Sequence, residues 1–196
     1  LLYNYPSHMA SVLESNRQRR GDFLGVPRFA ARTLRSYSEG RAFSAQIIDE
    51  ALVPSLGPSL TSEQHSRMTK LASASYMLLD HYCAMNRLPF TYKVKRAVAL
   101  TGAMIDPYDN LLDEYKGSRA VSFGMLLLPH FDPDHGSHAA GYASTNDEQR
   151  FMRVFNAYKR QVPEAVFPGY WKAAKAMHIS QLLSLLQRRD IQQQEH

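Results

Sequence analysis

The sequence has 196 residues, a formal net charge of +5, 44% hydrophobic residues and 21% charged residues. These values are typical of one globular domain whose core is large enough to be stable without disulfides or a structural metal. Cys83 is the single cysteine, so an internal disulfide is excluded and a reducing, cytoplasmic compartment is expected. No apolar run reaches the roughly eighteen residues of a membrane-spanning helix.

Helical periodicity runs through most of the chain. Thr61 with Gln64, and Thr145 with Glu148, have the three-residue spacing of capping boxes, and each pair precedes a stretch with apolar residues at three- and four-residue steps. Proline and glycine mark the ends of several segments. Helices are therefore predicted over residues 7–20, 27–53, 61–86, 91–115, 145–162 and 168–190.

Residues 117–145 have a different composition, with three glycines and two prolines between positions 124 and 141. This composition predicts a segment that is largely loop, with a short extended piece at 121–128. The whole chain, residues 1–196, is then expected to form a single all-α domain, a bundle of about six or more helices.

An aspartate-rich stretch at residues 106–114 is the most informative part of the sequence. At about 100° per residue on a helix, Asp106, Asp109, Asn110 and Asp113 fall within an arc of roughly 100°. Oxygen-rich stripes of this kind suit hard cations such as Mg²⁺. The alternative is the ordinary polar face of an amphipathic helix, but aspartate is a poor helix former and like charges repel at this spacing.

The segment Asp109-Asn110-Leu111-Leu112-Asp113-Glu114, preceded by Asp106, resembles the first aspartate-rich motif of class I isoprenoid (terpenoid) synthases. In form it is nearest to the large terpene synthases of the tetraprenyl-β-curcumene synthase type. The resemblance implies a helical bundle around an apolar cavity, in which Mg²⁺ ionises an allylic isoprenyl diphosphate for cyclisation or coupling. Asp106, Asp109 and Asp113 would be catalytic and metal-binding, with Glu114 as a further metal ligand and Asn110 supporting substrate binding. The sequence holds no clear copy of the second metal motif of these enzymes.

Further substrate-binding candidates lie after the motif. Trp171, Lys175 and His178 share one face of the last predicted helix, where the tryptophan would stabilise a cation and the other two would contact diphosphate. Lys116 and Arg119 are candidate diphosphate ligands because they directly follow the motif. The alternatives are a core face that contains one hydrogen-bonded histidine, and loop charges exposed to solvent.

A histidine- and aspartate-rich segment at residues 130–138 allows another interpretation. His130, Asp134 and His135 resemble the metal motif of metallo-β-lactamases, and His138 is a further ligand candidate for Zn²⁺ or Fe in a metal-dependent hydrolase. Asp132 stands where that motif has a histidine. The flanking sequence does not supply the strands of that fold, so a polar loop or lid is the alternative.

The basic N-terminal half suggests a third hypothesis, a non-catalytic helical module that binds an acidic partner. Nucleic acid is not expected, because no aromatic ladder accompanies the arginines. Peripheral membrane contact and a two-fold homodimer are compatible with the sequence. Because Leu1 stands in place of a methionine, we expect that a leader is missing or that the chain is a fragment.

Overall fold

The computed structural model describes residues 25–56, 60–114, 118–132 and 145–194, with side chains over 29–56, 60–112, 119–132 and 145–187. These ranges hold seven α-helices, one 3₁₀ turn and no strand, which confirms the all-α prediction. No described helix is long and apolar enough to cross a membrane. The helices are α1 (Gly25–Ala51), α2 (Val53–Leu56), α3 (Ser62–Met85), α4 (Tyr92–Glu114), α5 (Ser118–Leu127), α6 (Asn146–Gln161) and α7 (Tyr170–Gln194), and the 3₁₀ turn is Leu128–Phe131.

Internal contacts divide the chain into two units, Leu1–Arg35 and Ser36–His196, and the boundary falls inside α1. In the first unit the structure describes the start of α1, where Thr33 Oγ1 donates to the carbonyl oxygen of Phe29 at 2.9 Å. The first predicted helix, at 7–20, lies outside the described residues. The other helices belong to the second unit, which holds all the candidate site residues that the structure describes.

Both predicted capping boxes are confirmed. Thr61 Oγ1 accepts from the Gln64 backbone N–H at 3.1 Å, and Gln64 Oε1 accepts from the Thr61 backbone N–H at 3.2 Å. Thr145 and Glu148 form the same reciprocal pair at the start of α6. Each box satisfies two backbone donors that have no partner within the first helical turn, so the local sequence fixes where α3 and α6 begin.

The prediction of a largely non-helical segment at 117–145 is wrong for residues 118–131, and so is the extended piece at 121–128. These residues form α5 and the 3₁₀ turn. Ala120, Phe123 and Leu127 are spaced by three and four residues and are all buried, which is a helical pattern. Gly124 and Pro129 resemble helix breakers in sequence, but Pro129 occupies the first turn of the 3₁₀ helix, where proline is tolerated. Residues 133–144 lie outside the described part.

Packing of α3 against α4 is the most extensive helix pair among the described elements. Glycine at position 102 allows this close approach, since a Cβ there would lie 2.7 Å from Ala72 Cα. The centre of the second unit is filled by aromatic side chains, including Phe155 and Trp171, whose rings meet edge to face at 6.0 Å. An apolar cavity enclosed by the bundle stays a prediction, while the apolar face of α4, with Leu100 and Leu112, is fully buried in this core.

Candidate functional site

The aspartate-rich motif lies on the C-terminal half of α4, which continues as a helix through Pro107. Asp106 is only 8% exposed, which is unusual for a carboxylate, whereas Asp109 is half-buried and Asn110 is exposed. Asp113 and Glu114 belong to α4 by their backbone, and their side chains lie outside the described residues. The motif therefore places one buried carboxylate and one exposed amide a single helical turn apart.

Asp106 and Asn110 line a cleft of about 110 Å³, to which α2, α3 and α6 also contribute. Three of the polar side chains that line this cleft come from elements other than α4: Gln64 from α3, and Asp147 and Arg150 from α6. The apolar lining, which we call the apolar wall, is formed by Leu56, Leu60, Met68, Leu111, Phe151 and Val154. We call this the motif cleft.

Arg67 holds the buried carboxylate. Its Nε donates to Asp106 Oδ1 at 2.9 Å, and its Nη1 donates to Glu63 Oε1 at 2.9 Å, so the guanidinium bridges α3 and α4. A buried carboxylate needs such a partner, because burial without one would greatly disfavour its charged form. The Arg67 side chain itself is 40% exposed, so it stays within reach of solvent.

Arg150 lines this cleft directly. Its Nη2 donates to Gln64 Oε1 at 3.1 Å, the same oxygen that completes the α3 capping box. The start of α3 and the first turns of α6 are thereby fixed against each other. Sequence analysis did not identify Arg67, Arg150 or Asp147, because they lie on other helices and no motif spacing connects them to residues 106–114.

The oxygen donors at the motif cleft suit Mg²⁺ only in part. Asp106, Asn110 and Asp147 present oxygens to one cleft, but within the part of the chain that the structure describes no three His, Cys, Asp or Glu side chains converge on one point. Mg²⁺ typically takes one or two protein carboxylates and completes its shell with water and substrate phosphate. The residues present fit a cation that is bound together with a phosphorylated ligand, not one caged by protein alone.

His178, a predicted diphosphate ligand, is 3% exposed and connects three elements. Its Nδ1 lies 2.5 Å from the Tyr108 hydroxyl of α4, and its Nε2 lies 2.7 Å from the Gly124 carbonyl oxygen of α5. Because a carbonyl only accepts, Nε2 carries the proton and Nδ1 accepts from Tyr108. Burial lowers the pKa of His178, which keeps the ring neutral. Burial, with the Asp109 charge second, raises the pKa of Tyr108.

Trp171 and Lys175, the other α7 candidates, are also outside the motif-cleft lining that the structure describes. Trp171 is 1% exposed, and its Nε1 donates to the Val162 carbonyl oxygen at 2.7 Å. Lys175 Nζ contacts Asp132 Oδ1 at 2.7 Å, which ties α7 to the end of the 3₁₀ turn. Together with His178, these side chains bind α7 to its neighbouring elements.

The two candidates after the motif differ in what the structure describes. Arg119 Nη2 lies 3.3 Å from Glu148 Oε1, so α5 is joined to the capping box of α6. Lys116 lies outside the described residues. Tyr158, Tyr170 and Thr101 form a separate, partly buried hydroxyl cluster at α4, α6 and α7. Desolvation by burial raises the pKa of both tyrosines.

The histidine-rich segment is described only in part. His130 is 4% exposed and sits in the 3₁₀ turn. Lys159 Nζ donates to the carbonyl oxygens of His130 and Asp132, at 2.9 and 2.5 Å, and so holds the end of this turn. Asp134, His135 and His138 lie outside the described residues, and the hydrolase hypothesis stays a prediction.

Comparison with known proteins gives no relative to this chain. No protein-family model matches it, and neither the curated proteins nor the solved structures contain a significant match.

Proposed function

We propose that the motif cleft binds a Mg²⁺-complexed allylic isoprenyl diphosphate, and that the chain ionises this substrate for cyclisation or coupling. One observation supports the proposal above the others. Asp106 and Asn110 of the aspartate-rich motif share a cleft with Arg150 of α6 and with an apolar wall. Oxygen donors, a guanidinium and apolar surface are the three kinds of group that such a ligand requires.

Each side chain has a distinct role in this proposal. Bound Mg²⁺ would neutralise charge on the departing diphosphate. Asp106 and Asp147 provide carboxylate oxygens for the cation, and Asn110 provides an amide oxygen. Arg150 binds phosphate oxygens, for which the planar guanidinium is well suited, and Arg67 orients the Asp106 carboxylate.

The size of the cleft limits the substrate. A cleft of about 110 Å³ is smaller than the roughly 300–1,000 Å³ of pockets that enclose a whole small molecule. The apolar wall therefore covers one short hydrocarbon group beside the diphosphate. We expect the shortest allylic diphosphates to react best, with longer chains extending out of the cleft.

The test is diphosphate release from a series of allylic isoprenyl diphosphates, with and without Mg²⁺. Asp106→Asn, Asn110→Ala and Asp147→Asn should each reduce Mg²⁺-dependent release, by roughly tenfold or more, because each removes a proposed metal or substrate contact. Glu50→Gln is the matched control, since Glu50 is an exposed carboxylate of α1 that the motif-cleft lining does not include.

A folded helical protein that releases no diphosphate from any member of the series would contradict the proposal. A binding module without catalysis would then be the better account of the chain. Release that is equal without Mg²⁺ would also contradict it.

A further inference from the structure

A second recess lies between α1 and α3, within the second unit. It is a groove of about 470 Å³, which we call the α1–α3 groove. Its lining shares no residue with the motif cleft. The lining consists of small and polar side chains, namely Ser38, Arg41, Ala42, Ala45, His65, Ser66 and Thr69.

Hydroxyl groups without a partner concentrate at this helix pair. Thr69 lines the groove and is 6% exposed, and its Oγ1 has no hydrogen-bond partner within the described ranges. On α1, Ser36 and Ser44 are buried and their hydroxyls also have no partner there. These two serines flank Gly40 at four-residue steps, and Gly40 meets the Tyr76 side chain of α3. A buried hydroxyl without a partner is costly, and of these three residues Thr69 is the one that lines the groove.

The groove also carries a positive charge. Arg41 is exposed, and among the described residues it makes neither an ion pair nor a hydrogen bond. Ser38 is on the same helix, and Ser66 and Thr69 stand on the opposite wall. The nearby His65 is held in place by Asp49, whose Oδ1 lies 2.9 Å from His65 Nε2. One guanidinium facing hydroxyl donors is the arrangement that binds oxyanions, because all these groups donate hydrogen bonds.

We propose that the α1–α3 groove binds the phosphate group of a small phosphorylated ligand. Arg41 contributes the charge and pairs with two phosphate oxygens. Ser66 donates its hydroxyl from the other wall. The Thr69 hydroxyl is enclosed and has no partner among the described residues, and rotation about its Cα–Cβ bond, which threonine tolerates in a helix, turns it toward the bound phosphate. This site is independent of the function proposed for the motif cleft.

The proposal is tested by titrating the whole chain with inorganic phosphate and, separately, with glycerol 3-phosphate. Binding is monitored by ³¹P NMR at constant ionic strength. The first probe represents free phosphate and the second a phosphate ester. We expect saturable binding of the ester, and the groove volume predicts that the ester binds more tightly than phosphate alone. Tighter binding of free phosphate would overturn the assignment of an ester ligand.

Single-residue variants test whether the phosphate binds in the α1–α3 groove. Arg41→Gln should raise the Kd by about tenfold or more, as expected for a lost charge-assisted hydrogen bond, and Thr69→Val should raise it several-fold while preserving side-chain shape. Arg160→Gln, which changes an exposed arginine of α6, and Arg150→Gln, at the motif cleft, should leave the Kd unchanged. Circular dichroism of each variant verifies its fold.

Two outcomes would overturn the proposal. One is the absence of saturable binding by the folded wild-type chain. The other is binding that survives Arg41→Gln and Thr69→Val but is lost in Arg150→Gln, which would place the phosphate in the motif cleft. Diphosphate release is measured separately, so failure of either proposal leaves the other open to its own test.

Discussion

The Tyr108 hydroxyl donates to His178 Nδ1 across 2.5 Å, and this bond joins the aspartate-rich helix α4 to α7. Nε2 of the same ring donates to the Gly124 carbonyl oxygen, and Phe131 stacks on the ring with centroids 4.6 Å apart. Both ring nitrogens and one ring face are therefore occupied by the fold. A neutral imidazole satisfies both bonds, whereas an imidazolium would have two N–H donors and only one acceptor in its present arrangement.

Acid should destabilise the protein through this histidine. Because burial lowers the pKa of His178 in the folded state, the unfolded chain binds the proton more readily. The stabilising contribution of the neutral ring is present above the unfolded pKa, about 6.5, and is lost as the pH falls through the lower folded pKa. Urea unfolding of wild type and His178→Gln from pH 8 to pH 5 measures this loss.

The free-energy difference between wild type and His178→Gln is the informative quantity, since it removes the contributions of the other histidines. We expect it to shrink as the pH falls. A difference that stays constant across this range would show that His178 does not titrate with unfolding.

Loss of the Arg67 guanidinium should destabilise the protein more than loss of the Glu63 carboxylate, which is the second group that Arg67 binds. Arg67→Met leaves the Asp106 carboxylate, 8% exposed, without its guanidinium, and a cost of about 1–3 kcal/mol is expected. Glu63→Gln should cost less than about 1 kcal/mol, because the Glu63 side chain is 79% exposed.

The double variant Arg67→Met/Asp106→Asn checks the cause of that cost. It should recover part of the stability that Arg67→Met loses, since no charge then remains buried. Additive losses in the double-mutant cycle would contradict the assigned ion pair.

Two glycine-to-alanine changes should differ in severity. At position 102 a Cβ would meet the Ala72 backbone at 2.7 Å, and α3 would have to move. At position 124 it would meet the end of the Leu182 side chain, which can rotate away. Overpacking typically costs about 1–3 kcal/mol, and alanine returns about 1 kcal/mol in helix propensity. Chemical denaturation should therefore show Gly102→Ala to be clearly the less stable variant, and equal stabilities would contradict the close packing of α3 on α4.

The two capping boxes should also respond unequally to loss of their threonines. Thr61→Ala and Thr145→Ala each remove a cap that contributes about 0.5–2 kcal/mol. The partner of Thr145 is Glu148, which is 3% exposed and also accepts from Arg119, so loss of that cap disturbs a buried group. Thermal unfolding should show a larger decrease in Tm for Thr145→Ala, whereas a larger decrease for Thr61→Ala would contradict this order.

The sequence was sufficient to predict what depends on neighbouring residues. Thr61 and Thr145 mark helix starts because the cap is completed within three residues. Helix α5 was not predicted because glycine at 124 and proline at 129 usually end helices. In the structure, Gly124 leaves room for the Leu182 side chain, which is far away in the sequence. The motif residues Asp106 and Asn110 could be found by spacing. Arg150 reaches the same cleft, and Arg67 reaches the Asp106 carboxylate, only through the packing of α3, α4 and α6.

Trp171 is the single tryptophan of the chain and is 1% exposed. Its ring packs against Phe155 and Tyr158, and Lys159 Nζ lies 5.8 Å from its centroid. The chain consequently carries one indole fluorophore, which can be excited selectively near the red edge of protein absorption and which lies, shielded from water, where α6 and α7 meet. Its emission should be blue-shifted in the native state and should shift to the red when α7 separates, so that release of this helix can be followed optically without any label.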